Sequence, residues 1–192
     1  MNKREAIIEA AIELFSAKGL NKTKIADIVK QANIAQGTFY LYFSSKLSVM
    51  PAIAEVMALK IRDEMDEQVD RHEAFPVQIE QLTQAVFTIT KEYQTIQALV
   101  YAGIASTDHI RNWESIYDPL YIWVDNFLKQ AVTEKFIPPI NGETPKMVIA
   151  LVESVAEQAY LYDEVDPQVA RNKQAAVVTF LLQALKASPS IS

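Results

Sequence analysis

Apolar residues recur every three or four positions along nearly the whole chain, and the alternation of a half-buried strand is almost absent. That spacing predicts an all-helical protein. In the first run, residues 3–18, Ile7, Ala11, Leu14 and Phe15 share one face while Glu5, Glu9 and Glu13 lie elsewhere. Lys18 in the last turn and Gly19 just beyond it form a favourable charge followed by a left-handed stop. Thr23 or Lys24 begins a second short helix carrying Ile25, Ile28 and Val29, and Thr is the better cap by chemistry. Ala32-Asn33-Ile34 interrupts that pattern, with Asn33 suited to the positive φ that follows a helix. A third run opens near Ala35-Gln36 and closes at Phe43. Ala35 cannot accept a bond from the free amides there, a loss worth about 1 kcal/mol. Phe39 and Phe43, four apart, should anchor this helix inward and leave Gln36, Thr38, Tyr40 and Tyr42 facing outward or sideways. Two short helices joined by a tight turn are a helix-turn-helix, whose second helix fits a DNA major groove.

Past residue 43 the helices lengthen. Ser44-Ser45 should cap one from about Lys46 to Arg71, with Pro51 inside it causing a kink or local break near residues 47–51. Further runs are expected from Phe75-Pro76 to about Tyr93, over 95–106, and from a cap at Asp108 to about Lys135. FIPPINGETP is the clearest loop. Thr144-Pro145 opens a helix to about Tyr162, and Asp166-Pro167 opens a last one to about Lys186, since Pro is welcome at the first helical position. About nine helices result. They divide into residues 1–47, a larger body over 48–186, and a frayed tail over 187–192.

Charge sharpens this division. The net charge of −6 by itself argues against a nucleic-acid partner, but residues 1–50 carry seven Lys/Arg against four Asp/Glu, while 51–192 carry eleven against twenty. A basic end on an acidic body suits a DNA reader with a regulatory body. There are no cysteines, which removes disulfides and thiolate chemistry. No run of 18 apolar residues occurs, and Glu5, Glu9 and Glu13 interrupt any secretory signal, so a cytoplasmic protein without a membrane partner is expected. His72 and His109 stand in no ligand or triad spacing, and no glycine-rich phosphate loop is present. The carboxylates Asp63, Glu64, Asp66, Glu67 and Asp70 lack the glycine and ligand order of a calcium loop. Neither an enzyme, a metal site nor a cofactor is expected.

The run GLNKTKIADIVKQANIAQGTFYLYFSSK, residues 19–46, resembles the DNA-binding segment of the TetR family of bacterial transcriptional regulators. Gly37, Thr38, Phe39, Tyr40, Tyr42, Phe43 and Lys46 stand where that family's pattern has them. Val29, Asn33 and Ala35 depart from the usual Ala, Gly and Ser/Thr. Beyond residue 50 only the layout of helices is similar. The resemblance implies that Gln36 and Thr38 contact bases or nearby backbone, that Tyr40, Tyr42 and Lys46 contact phosphate, and that Thr23 and Lys24 touch phosphate from the second helix. Tyr40 or Tyr42 packing within the small domain is the alternative. It further implies a homodimer on a palindromic double-stranded operator, built by the last two helices through Val152, Val155, Ala156, Ala159, Ala176, Val177 and Phe180, unless that surface packs only within the subunit. Nine of the eighteen aromatics lie between residues 75 and 127. By resemblance, Phe87, Tyr101, Trp113, Tyr117 and Tyr121 would line a pocket for a small effector, or else form ordinary core. Trp113, Tyr117 and Tyr121 are expected on one face of one helix. Carboxylates such as Glu153 and Glu157 make a neutral or cationic amphipathic effector preferable to an acyl-CoA. The function implied is a ligand-responsive repressor; a helical interaction module without specific DNA binding is the alternative.

Overall fold

In the computed structural model residues 2–104, 113–162 and 166–187 are described, and their regular structure is helical without a strand. Ten α-helical segments occur among them: α1 (Lys3–Lys18), α2 (Ile25–Gln31), α3 (Gln36–Tyr42), α4 (Met50–Gln68), α5 (Phe75–Glu92), α6 (Gln94–Ile104), α7 (Trp113–Ile116), α8 (Asp118–Thr133), α9 (Thr144–Glu157) and α10 (Pro167–Ala184). The expected cap Asp108, His109 and the tail beyond residue 187 lie outside the described residues. The chain forms two compact units. One takes in residues up to Met57 with Thr95–Ile116, the other Ala58–Gln94 with residues from Tyr117 onward.

In the first unit α1 starts at a capping box. Asn2 Oδ1 accepts from the Glu5 amide at 2.9 Å, and Glu5 Oε2 accepts from the Asn2 amide at 2.9 Å. Gly19, at φ 79°, ends the helix, and its amide donates to the Phe15 carbonyl. Ile7, Ala11 and Phe15 are fully buried with Ile28 of α2 and Phe39 of α3, so the apolar stripes of the three helices form one small core. Asn33 adopts φ 52°, and the next amide, of Ile34, donates back to the Val29 carbonyl at 3.0 Å. That is the left-handed turn the sequence calls for. A 3-10 turn over Leu47–Val49 precedes α4, leaving Pro51 at its second residue. The break expected near 47–51 is thus the start of the helix, where a missing amide costs nothing.

In the second unit α9 packs against α5, α8 and α10, and α10 also against α5. Ile79, Leu82 and Val86 of α5, Leu120 and Val124 of α8, and Val152 and Ala156 of α9 are buried. The single long helix expected over 108–135 is corrected. α7 stops at Ile116 and α8 starts at Asp118, with Pro119 in its first turn. Pro119 has no amide hydrogen and its ring would clash one turn back, so the helix cannot run through it. The helix expected from Thr144 to about Tyr162 does reach Tyr162, as α9 to Glu157 and then as a π turn over Gln158–Tyr162. Lys135, at φ 65°, ends α8, and Asn141 Oδ1 accepts from the amides of Glu143 and Thr144 at 3.0 Å ahead of α9.

One end of this unit is an aromatic stack. Phe75 lies 5.7 Å from Phe127 and 5.9 Å from Phe136, and Trp123 lies 5.6 Å from Phe127. The Arg71 guanidinium stands 4.5 Å above Trp123 and 4.6 Å above Phe127. Gln78 Nε2 donates to the Glu73 carbonyl at 2.7 Å, fixing the loop that delivers Arg71. Burial pulls the Arg71 pKa below its ordinary value, against the opposing charges of Asp66 and Glu134. The cation–π contacts therefore hold a partly dehydrated charge, where each is worth about 1–2 kcal/mol. Arg71→Ala is expected to lower the unfolding free energy by about 1–3 kcal/mol in urea titration. A change within about 0.5 kcal/mol would make this contact a bystander.

Candidate functional site

The phase of α3 is set from inside. Phe39 is fully buried and Phe43 nearly so, with their rings 5.9 Å apart. Gln36 is exposed, Thr38 half-buried, Tyr40 51% exposed and Tyr42 45% exposed, so the expected outward set does reach solvent. Sequence reasoning missed Leu41, which is 81% exposed between the two tyrosines. Its signal was available, because the inward phase of Phe39 and Phe43 leaves position 41 on the far side. Gly37 has open space where a Cβ would stand, so packing does not demand glycine there. As expected, no side chain caps α3 at Ala35.

Two expected phosphate contacts are placed differently. Thr23 is corrected: it is 1% exposed, and its hydroxyl donates to the carbonyls of Gly19 at 2.8 Å and Leu14 at 3.3 Å. That hydroxyl ties the α1–α2 turn together and is not offered to a phosphate. The cap of α2 falls to Lys24, whose amide donates to Asp27 Oδ2 at 2.9 Å. The Asp27 carboxyl is held below its ordinary pKa by its hydrogen bond to Lys18, then by the Lys24 amide. The Lys24 side chain is exposed. Lys46 Nζ donates to the Thr23 carbonyl at 2.7 Å and to the Leu20 carbonyl, so its ammonium latches the same turn from the far side of α3. Arg4, not anticipated, lies 5.8 Å from the Phe43 ring and pairs with Glu55 at 3.2 Å.

In the second unit Phe87 is buried, with its ring edge against Tyr160 at 6.1 Å. Tyr117 and Tyr121 are half-buried and stacked at 5.9 Å, though Tyr117 sits at the break before α8 rather than on a shared helix face with Trp113. The side chains of Tyr101 and Trp113 lie outside the described residues. An open groove of about 520 Å³ between α5 and α10 is lined by amides of Gln81, Gln84 and Gln174 with Arg171 and Glu80, and by none of the five expected effector residues. The interface expectation needs correction at four positions. Val152, Ala156, Ala159 and Val177 are buried inside the subunit, because α9 and α10 turn their most regular apolar stripes inward. Val155 is half-buried, while Ala176 and Phe180, one turn apart on α10, remain exposed.

With this geometry in place, comparison with known proteins decides the family. The profile for bacterial regulatory proteins of the tetR family matches residues 7–53, and that for a tetracyclin repressor-like C-terminal domain matches residues 79–185. The chain belongs to the TetR family. It is 40% identical over 185 residues to the HTH-type transcriptional regulator YvdT of Bacillus subtilis (strain 168), covering 95% of each chain. Two solved structures share the fold at 18% identity. One is Thermus thermophilus FadR, a TetR family repressor in complex with lauroyl-CoA (TM-score 0.72, 98% of both chains). The other is the regulator FadR from Bacillus subtilis in complex with stearoyl-CoA (TM-score 0.71, 92% of this chain and 96% of that one). This TetR-family chain is therefore a transcriptional regulator with a DNA-binding helix-turn-helix, not an enzyme. No helix among the described residues is long and apolar enough to cross a membrane.

The regulator's body also buries a carboxyl. Glu153 of α9 is 8% exposed, and its pKa is pushed from 4.5 up to about 8 by burial, with Glu157 adding repulsion and a hydrogen bond from Tyr117 opposing. Between these two values the folded chain keeps a proton that the unfolded chain has lost, so stability must fall as pH rises through that window. The melting temperature is expected to drop between pH 5 and pH 8, with a loss on the order of a few kcal/mol in unfolding free energy. Glu153→Gln should flatten the profile. An equal slope in both proteins would assign the titration elsewhere.

Proposed function

We propose that this TetR-family regulator is a homodimeric repressor, released from a palindromic operator when a small amphipathic ligand binds its body. The carrying observation is the split of α3 into a buried Phe39/Phe43 edge and an exposed Gln36, Tyr40 and Tyr42 edge. The head corresponds to residues 1–47, the ligand and dimer body to 48–186, and the remaining six residues form a tail. Gln36 is the base reader, able to pair bidentately with adenine, and Thr38 supports it with a hydroxyl or methyl contact. Tyr40, Tyr42 and Lys24 hold phosphates, which fixes register without reading sequence. Lys46 reaches phosphate only by sharing the protons that now go to Leu20 and Thr23, so it acts chiefly by holding the turn. The open side of Gly37 lets the backbone approach the groove closely.

One seven-residue helix spans too little groove for specificity, which is why a dimer is required. Its half-sites would lie roughly 34–36 Å apart, or further in a wider arrangement. Phe180 and Ala176 on α10, with the exposed Met147 and half-buried Val155 on α9, are the apolar surface offered to a second copy. The two FadR structures hold acyl-CoA thioesters in this fold. The acidic body of this chain, twenty carboxylates against eleven bases after residue 50, favours a neutral or cationic ligand instead. Release requires the ligand to prefer a body conformation whose head spacing mismatches the operator.

Binding measured on DNA from upstream of the protein's own gene and on random duplex tests the reading. Tyr42→Ala should weaken binding to both and reduce the salt slope by about one. Gln36→Ala should cost about 1–3 kcal/mol on the preferred site and alter base preference at one position of each half-site. Lys46→Ala should weaken binding while lowering the melting temperature. A purified dimer with no salt-sensitive preference for its own upstream DNA would overturn the proposal.

A further inference from the structure

The rotation of α3 fixes which residue leads it. Successive residues of a helix step round by about 100°. Phe39 and Phe43 point into the head and bracket the inward direction. Leu41, midway between them in sequence, falls about 180° from that direction, on the outward midline of the helix. Gly37, one turn earlier, lies within about 40° of the same line. Tyr40 and Tyr42 stand about 100° to either side of Leu41, and Thr38 about 60° away. Exposure follows the same order: Leu41 is 81% exposed, Tyr40 51% and Tyr42 45%.

A lone exposed leucine is ordinary on a protein surface. Its place here is not. The leading line of a DNA-reading helix carries no hydrogen-bonding side chain. Gly37 offers bare backbone, with open space where a Cβ would stand, and Leu41 offers only hydrocarbon. Phe39 and Phe43 lock the rotation from inside, so Leu41 keeps its heading without contacts of its own.

Hydrocarbon is selective in a major groove. Guanine presents two acceptors there, cytosine a donor, and adenine one of each, whereas thymine presents a C5 methyl group beside its acceptor. Leucine set against guanine, cytosine or adenine covers a polar atom without pairing it, which costs the desolvation of that atom. Against thymine it buries apolar surface on apolar surface. One side chain thus gains at one base and loses at the other three, and that difference is specificity.

We propose that Leu41 is a specificity-determining residue of this regulator, reading a thymine in each half-site through its C5 methyl group. This rests on the operator-binding reading above and adds an apolar reader to Gln36, the polar one named there.

A cycle between protein and DNA tests it. The fragment upstream of the protein's own gene is synthesised once with thymidine and once with deoxyuridine throughout. Deoxyuridine deletes the methyl group and keeps every base-pairing atom. Both fragments and a random duplex are titrated with the full-length protein and with Leu41→Ala. The unsubstituted protein is expected to lose about fourfold in affinity for each methyl group it buries when uracil replaces thymine. In Leu41→Ala that uracil penalty should shrink by about fourfold or more. Any stiffening or softening of the uracil duplex affects both proteins alike and cancels in the comparison. Leu41→Met, apolar and of similar volume, should keep most of the penalty. Equal penalties in the two proteins, with the preference for upstream DNA intact, overturn the proposal and leave operator binding standing. No preference for upstream DNA in the unsubstituted protein overturns both. Leu41 is exposed, so Leu41→Ala should melt and sediment as the unsubstituted protein does. A variant that loses self-association and weakens equally on both fragments assigns the side chain to a contact between copies, against the proposal.

Discussion

The DNA-reading end depends on how the turn between α1 and α2 is closed. Thr23 donates its hydroxyl into the carbonyls of Leu14 and Gly19, and the Lys46 ammonium takes those of Leu20 and Thr23. Four carbonyls at the end of one helix and in the following loop are thereby satisfied without water. The residues doing this come from before α2 and after α3, so the helix-turn-helix is clasped at both ends. Inside the clasp Phe39 and Phe43 fix the rotation of α3. A seven-residue helix without a side-chain cap has little stability of its own. Its geometry is borrowed from these contacts, and the outward direction of Gln36 is borrowed with it.

The second unit is organised by the opposite device, polar groups left incompletely satisfied. An apolar residue of similar size at position 153 would remove a desolvation penalty, and valines at 83 and 90 would remove two orphan hydroxyls. The aromatic stack encloses a charge as well, with Arg71 Nη1 buried and without a hydrogen-bond partner. There Arg71 lies between ring faces and near carboxylates, with Trp123 Nε1 donating to Asp66 at 3.1 Å.

Much of this was legible in the sequence because helices announce their faces. The stops at Gly19 and Asn33, the uncapped start at Ala35 and the inward pair Phe39/Phe43 all follow from local rules and occur as read. What periodicity does not tell is which neighbour covers a face. Val152, Ala156, Ala159 and Val177 looked like surface for a second copy and instead fill the subunit's own interior. Thr23 matched a family position, but whether a threonine points at carbonyls or at solvent depends on the loop's fold. The break at Pro119 was readable, since Asp118-Pro119 repeats the signal that opens α10 at Asp166-Pro167. There the run of apolar residues outweighed the proline, and the proline decides. The π turn had no local signature at all.

These two modes of construction bear on how a ligand could control a DNA reader of this size. The head is overdetermined: its turn is clasped twice and its helix locked by two buried rings. The body buries the Glu153 carboxyl and leaves the hydroxyls of Thr83 and Thr90 without a hydrogen-bond partner. A ligand that binds one conformation of a body better than another shifts the equilibrium by that differential alone. α4 begins at Met50 after a 3-10 turn and carries Pro51 in its first turn. Pro51 withholds an amide where none is needed, and the three-residue turn before it is a weaker hydrogen-bonded link than a continuous α-helix.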